Sequence, residues 1–279
     1  MKSVSIKIFI FSIIILQWGT PGFAAVLPDT AILLSGNTLS VSPVRTITLA
    51  STPSNVVYPE NLESHRAQTI GYIEKFSASK RKYLLNTYQK GKKYFPKVTA
   101  MLKRYQLPQE LRVLLALESG FNANAVSRAG AVGYWQIMDD VGREYGLHIV
   151  AAREKVSAKK KDERKNFSKS TLAAVQYLRD RCRNLDNDLL LMVAAYNCGV
   201  GNVWDAMKRS GKKDPDFWAI KKYLPAETRS YVMNFIALNV IFANYDNFAK
   251  QKLVFNPLPP QTIEIINHTP LISTEDCDL

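Results

Sequence analysis

Of the 279 residues, Glu118 has the surroundings most favourable to chemistry. It ends a run that is apolar nearly all round, Leu111-Arg112-Val113-Leu114-Leu115-Ala116-Leu117, and is followed by Ser119, Gly120 and Phe121. A carboxyl group among Leu114, Leu115 and Phe121 is partly desolvated, and desolvation penalises the charged form. The C-terminal end of a helix carries a partial negative charge that opposes ionisation further. Both effects produce a carboxyl group still protonated near neutral pH, the state a general acid needs. Taken alone, a solvated glutamate at a helix end is the simpler reading, so the neighbours decide.

Three other segments carry polar residues in suggestive company. Ser127-Arg128-Ala129-Gly130-Ala131-Val132-Gly133-Tyr134-Trp135-Gln136-Ile137-Met138 follows closely. Ala194-Ala195-Tyr196-Asn197-Cys198-Gly199 closes a later helix, and Leu224-Pro225-Ala226-Glu227-Thr228-Arg229-Ser230-Tyr231-Val232 opens the last long one. Each has a plainer alternative. Tyr196, Asn197 and Gly199 can serve as a helix end, where Asn and Gly are common. Trp135 reads as core, and Gln136 and Met138 can pack or satisfy backbone. No second acid lies between Glu118 and Met138, and Asp139, Asp140 and Glu144 lack a comparable apolar setting. His65, His148 and His268 are widely separated, and Asp186-Asn187-Asp188 lacks the glycine and distal glutamate of a calcium loop. No metal is expected.

The elements that must position these residues are helices. Apolar residues recur at three and four spacing at Ile70, Ile73 and Phe76, at Tyr83, Leu84 and Tyr88, and at Tyr94, Val98, Met101 and Leu102. Pro108 opens a further helix that runs to Glu118. Helical pattern returns at Leu172 to Cys182, Leu189 to Tyr196, Val203 to Lys208 and Thr228 to Phe248. Residues 25–57 are rich in Ser, Thr and Pro and read as an extended arm. Nothing reads as a strand before the tail, where Thr262 to Ile266 is β-prone behind Pro257, Pro259 and Pro260. The fold class is all-α.

Composition bounds the rest. A chain 47% hydrophobic with 3 cysteines is neither disordered nor a disulfide scaffold. The formal charge of +13 points to an anionic partner. Lys2 and Lys7, the apolar run Ile8 to Leu16, and Gly22-Phe23-Ala24 read as a secretory signal over residues 1–24, with Ala25 as the alternative last residue. The run is too short for the ~20 residues that cross a bilayer. Cys182 and Cys198 lie on consecutive helices, offset by roughly 12 Å along the axis. That exceeds the ~7 Å limit between the Cα atoms of a disulfide, so they and Cys277 are expected to stay free. The basic stretch Arg153 to Lys169 reads as a solvated surface. It lacks the interleaved aromatics of a nucleic-acid site, so no nucleic-acid partner is expected.

The ordered set of motifs resembles the lytic transglycosylases of bacterial cell walls, nearest to the membrane-bound murein transglycosylase D type. Leu107 to Phe121, the Gly-Ala-x-Gly-x-Trp-Gln-x-Met run, Asp162-Glu163-Arg164, Ser170-Thr171, Ala-Ala-Tyr-Asn-x-Gly and Leu-Pro-x-Glu-Thr-x-x-Tyr-Val occur in that family's order. The resemblance implies a lysozyme-like helical catalytic domain over residues 94–252, preceded by a helical extension at 58–93 and followed by a Pro-rich tail at 253–279. It makes Glu118 the single catalytic acid and base. It places Ser127, Gln136 and Met138 along a glycan cleft, Tyr196 beside the glutamate with Asn197 next to it, and Glu227 and Tyr231 in a further cleft-side motif. The implied partner is the peptidoglycan glycan strand, handled by a monomer in the periplasm or cell envelope without a cofactor or a stable membrane span.

The implied reaction cleaves the β-1,4 bond between N-acetylmuramic acid and N-acetylglucosamine and closes a 1,6-anhydro ring. Two rivals are a goose-type lysozyme, which hydrolyses, and a non-catalytic peptidoglycan-binding module. The first carries additional aspartates near the cleft loop, which Ser127 to Gly133 lacks; the second has no need of Glu118 beside Tyr196. The sequence departs from the D type in two respects. No lipid-anchor cysteine follows the apolar run, and the sequence given ends at Leu279 without LysM repeats.

Overall fold

The computed structural model describes residues 45–49, 53–150, 161–256 and 261–265. The expected signal segment, most of the arm, much of the basic stretch, His268 and Cys277 lie outside them. The described residues fall into two units. One comprises Asn55–Phe255 and is helical; the other contains a two-stranded ribbon.

In the helical unit, α1 (Arg66–Ser79), α2 (Arg81–Gly91) and α3 (Phe95–Arg104) come first. Pro96 sits in the first turn of α3, where a missing N–H costs nothing, and Lys103 and Arg104 face the negative end of its dipole. The helix expected from Pro108 to Glu118 is split. Gln109–Val113 winds as a 3₁₀ turn, closed by the Leu111 N–H on the Pro108 carbonyl (3.3 Å), and α4 covers Leu114–Ser119. Tightening of this kind is common at helix ends. A long loop leads to α5 (Asp139–Glu144), and α6 (Phe167–Arg183) follows.

The centre is built by α7 (Leu189–Cys198) and α10 (Ala226–Ala243). Asp188 caps α7 by accepting the Leu191 N–H at 2.8 Å, and every residue from Leu189 to Ala195 is buried. Between these helices come α8 (Val200–Ser210) and α9 (Phe217–Ile220). The helix expected over Thr228 to Phe248 ends instead at Ala243 and resumes as α11 (Tyr245–Ala249). Asn244 explains the break. Its amide nitrogen donates to the Val240 and Val57 carbonyls, and its oxygen accepts the Val57 N–H. A short side chain that bonds backbone in this way competes with helix continuation.

Two further expectations are corrected. A strand does precede the tail: β1 (Arg45–Leu49) pairs antiparallel with β2 (Gln261–Ile265), Arg45 opposite Ile265 and Leu49 opposite Gln261. Arg-Thr-Ile-Thr-Leu is a β-branched alternation, but its partner is at the far end of the chain, so no hairpin signal announces it. The basic stretch is not uniformly solvated, because Arg164 is buried. Cys198 is a free, buried thiol as expected. No helix among the described residues is long and apolar enough to cross a membrane.

Candidate active site

Glu118 reaches its position because α4 stops immediately after it. Gly120 takes the left-handed conformation (φ 57°) and returns its N–H to the Ala116 carbonyl at 3.0 Å. Nothing would crowd a side chain there, so the backbone angle is what calls for glycine. Phe121 also has positive φ, 67°, an uncommon state for a bulky residue. Packing holds it: its ring stacks on Tyr94 at 5.2 Å and meets the Phe95 edge at 5.7 Å. The chain therefore turns sharply away and leaves the carboxyl group at the wall of a pocket.

That pocket brings Glu118 together with Gln136, Met138, Tyr196, Asn197, Glu227 and Tyr231. Burial pushes the Glu118 pKa up to about 7; a hydrogen bond from the Tyr231 hydroxyl to Oε1 opposes the rise, and the Glu227 charge adds to it. The apolar lining comes from Leu117, Ile137, Val141, Ala173 and Ala174. Leu114, Leu115 and Phe121, expected to surround the carboxyl, belong to the buried apolar core behind the pocket wall. Burial also raises the Tyr231 and Tyr196 hydroxyls well above the ordinary tyrosine range, and the neighbouring Glu118 charge adds to this. Both remain neutral donors.

The rest of the wall is polar and tightly held. The Tyr196 hydroxyl donates to the Trp135 carbonyl at 2.7 Å, and the ring meets the Tyr177 edge. The Asn197 Oδ1 accepts the Thr228 hydroxyl at 2.8 Å, so this residue does more than end a helix. Gln136 sits at φ 48° and spends its amide nitrogen on the Gly133 and Ala125 carbonyls, at 2.9 and 3.2 Å. Its Oε1 is the group left for a ligand. Glu227 and Tyr231 share one face of α10, a turn apart. Trp135 is fully buried and donates from Nε1 to the Thr171 hydroxyl at 3.0 Å, a core residue as expected.

Ser127 is the exception among the predicted residues. It does not line the pocket; its Oγ accepts the Ala131 N–H at 3.0 Å while its N–H bonds the Ala131 carbonyl, which closes the tip of the loop. Sequence reasoning missed Tyr177, Ala173 and Ala174, although their spacing puts them along one side of α6. It also missed how the loop is fixed. The buried Arg164 guanidinium pairs with Asp162 at 2.7 Å and donates to the Ile137 carbonyl at 3.3 Å and the Gly130 carbonyl at 3.5 Å. The Arg164 carbonyl lies so near Gly133 that a Cβ there would be 2.1 Å from it, and Gly133 has φ 83°. The Asp162–Arg164 segment thus clips the loop that presents Gln136 and Met138.

Residues 97–218 match the model of the transglycosylase SLT domain. The chain is similar to membrane-bound lytic murein transglycosylase D of Escherichia coli (strain K12), 35% identical over 188 residues. That match covers 67% of this chain but only 38% of the length of the relative. Among solved structures, an inactive mutant of the lytic transglycosylase Slt from Pseudomonas aeruginosa gives a TM-score of 0.43 at 21% identity, covering 60% of this chain and 26% of that one. The 70 kDa soluble lytic transglycosylase of Escherichia coli gives 0.41 at 22% identity, covering 56% and 25%. The family match spans the cleft residues from Glu118 to Asn197, so residues 97–218 of the chain carry a transglycosylase SLT domain.

Proposed function

We propose that this chain is a peptidoglycan lytic transglycosylase acting in cell-wall turnover or remodelling. The observation that carries the proposal is Glu118, a carboxyl group with a pKa of about 7 in an open pocket, held by a tyrosine hydroxyl. Such a group is protonated and deprotonated with comparable ease near neutral pH, which suits one residue acting as acid and then as base.

In the proposed reaction Glu118 gives its proton to the glycosidic oxygen between N-acetylmuramic acid and N-acetylglucosamine. The C1–O bond breaks, the N-acetylglucosamine end leaves as an alcohol, and the substrate's own N-acetyl group stabilises the cationic centre. Glu118, now ionised, takes the proton of the C6 hydroxyl of the same muramic acid as that oxygen bonds to C1. The anhydro ring closes and the acid is restored. A hydroxyl held in the same sugar has an effective molarity on the order of 10⁵ M or more, which lets it outcompete water. Tyr231 steadies the carboxylate once it forms, and Glu227 acts in the opposite sense, keeping the resting group protonated. Asn197 and the Gln136 oxygen supply hydrogen-bonding groups for sugar hydroxyl and amide groups.

Glu227 is also the observation that favours a second reading. Ordinary glycosidases use two carboxyl groups, and a second one in the pocket could activate water for hydrolysis. Digestion of purified sacculi followed by mass spectrometry separates the two. The proposal expects 1,6-anhydromuropeptides from the parent chain and none from Glu118→Gln; reducing-end products would establish hydrolysis. The proposed setting is the cell envelope, with export by the N-terminal segment, action as a monomer and glycan strands as substrate.

A further inference from the structure

Between Glu74 and Glu110 the sequence holds ten lysines and arginines and no acid. Apart from Lys75 near the end of α1, these residues occupy α2, α3 and their flanks, and most precede the family match, which begins at residue 97. Arg81 is spent on the fold: its guanidinium donates to the Phe248 and Ala249 carbonyls at 2.8 and 2.9 Å. The other nine are exposed, and among the described residues none of them is in an ion pair. Elsewhere in the same unit the surface mixes signs, as in the pairs Arg143–Asp139 and Arg209–Asp205. A run of unpaired like charges on consecutive helices repels itself, and an anionic partner relieves that repulsion.

The kind of anion follows from the side chains. All but one of the nine are lysines, which act as hydrated point charges, whereas arginine forks suit bidentate phosphate recognition. The cations are spread over two helices rather than converging on one point, which fits a polymer with repeated charges. Tyr83 is the one exposed large apolar residue on these helices, too little for insertion into a bilayer, and a single exposed ring offers no stacking platform for bases. We propose that the exposed face of α2 and α3 docks the carboxylate-bearing peptide stems of peptidoglycan. This rests on the reading of the pocket as a glycan site. A second attachment on the same polymer raises the local concentration of glycan at the pocket without a new contact there.

The test uses the full chain and a variant with Lys82, Lys90, Lys97 and Lys103 changed to Gln; none of these has a role in the pocket. Binding to intact sacculi is measured by co-sedimentation at low and high salt, alongside sacculi whose peptides have been removed by an amidase. The variant should bind intact sacculi at least about ten-fold more weakly at low salt, and salt should bring the parent down to the same level. Removal of the peptides should abolish the difference, while turnover of short peptide-free glycans stays equal. Equal binding of parent and variant to intact sacculi overturns the proposal, and so does a difference that persists on peptide-free glycan or appears only with anionic vesicles or DNA. Docking without anhydro products from any substrate would sink the reading of the pocket and leave the charged face standing.

Discussion

The two walls of the pocket are held by different physics. One is presented by α4, α7 and α10, whose inner faces sink into a continuous apolar core; Glu118, Tyr196 and Tyr231 project from it. The other is the loop from Asn122 to Met138, which has no regular element and is fixed by polar groups: the Arg164 clip, the Gln136 amide and the Trp135–Thr171 bond. A buried helix is robust to loss of any one contact short of a cavity. A loop held by a buried ion pair is sensitive to a single unpaired charge. Rigidity of the same cleft thus has two failure modes, and substitutions can separate them.

The largest effect is expected at the chemistry itself. Glu118→Gln on the helical wall should lower turnover of sacculi by about 10²–10⁴-fold, because the proton donor and acceptor are lost together. The fold should survive, and its pH dependence reads out the burial. The unfolded carboxyl titrates near 4.5 and the folded one near 7, so between those values the folded state holds more protons. Stability of the parent therefore falls as pH rises through that window. The variant lacks this term and should exceed the parent at pH 8 by up to about 3 kcal/mol, measured by denaturant titration.

Next comes the contrast between the walls. Arg164→Met leaves the partly buried Asp162 without its cation and should cost up to about 3 kcal/mol. Changing Asp162→Leu together with it should recover much of that stability but not the clip on the Ile137 and Gly130 carbonyls, so KM should rise with the pH midpoint near 7 kept. Leu115→Ala should behave in the opposite way. A cavity costs about 2–5 kcal/mol, read as a lower Tm, with KM and kcat of the folded chain unchanged. Full recovery of KM in the double variant would remove the clip from substrate positioning.

The smallest effects concern the tuning of Glu118. Activity that needs its protonated form should fall as pH rises through about 7. Tyr231→Phe removes a hydrogen bond that favours the carboxylate, so the descending limb should move to higher pH. Glu227→Gln removes a nearby negative charge, so the limb should move to lower pH. Initial rates across pH 5 to about 9 for the three chains would settle the signs. Limbs that coincide would assign the titration to another group.

The helical wall was legible in the sequence because its residues repeat at helical spacing and end at recognisable stops. Glu118 before Gly120 and Asn197 before Gly199 announce themselves in that way. The loop wall was legible only in part. Gln136 and Met138 line the pocket, whereas Ser127 closes the loop tip, because spacing in an irregular segment carries no direction. Arg164 was legible only as part of the Asp162-Glu163-Arg164 motif; its place among lysines and arginines gave no sign that its guanidinium is buried against Asp162 and the loop carbonyls. The strand at Arg45–Leu49 was missed because its partner lies at the opposite end of the chain. Apolar periodicity reports what a helix buries; it says nothing of which polar group holds a loop.

The central claim is that Glu118 directs the substrate's own hydroxyl, not water, at the anomeric carbon. Digestion of sacculi in water enriched in heavy oxygen, followed by mass spectrometry, tests it most directly. The account predicts anhydro-ended products lighter by one water than hydrolysis products and free of the label. Heavy oxygen at a reducing muramic acid end would contradict it and make the enzyme a hydrolase.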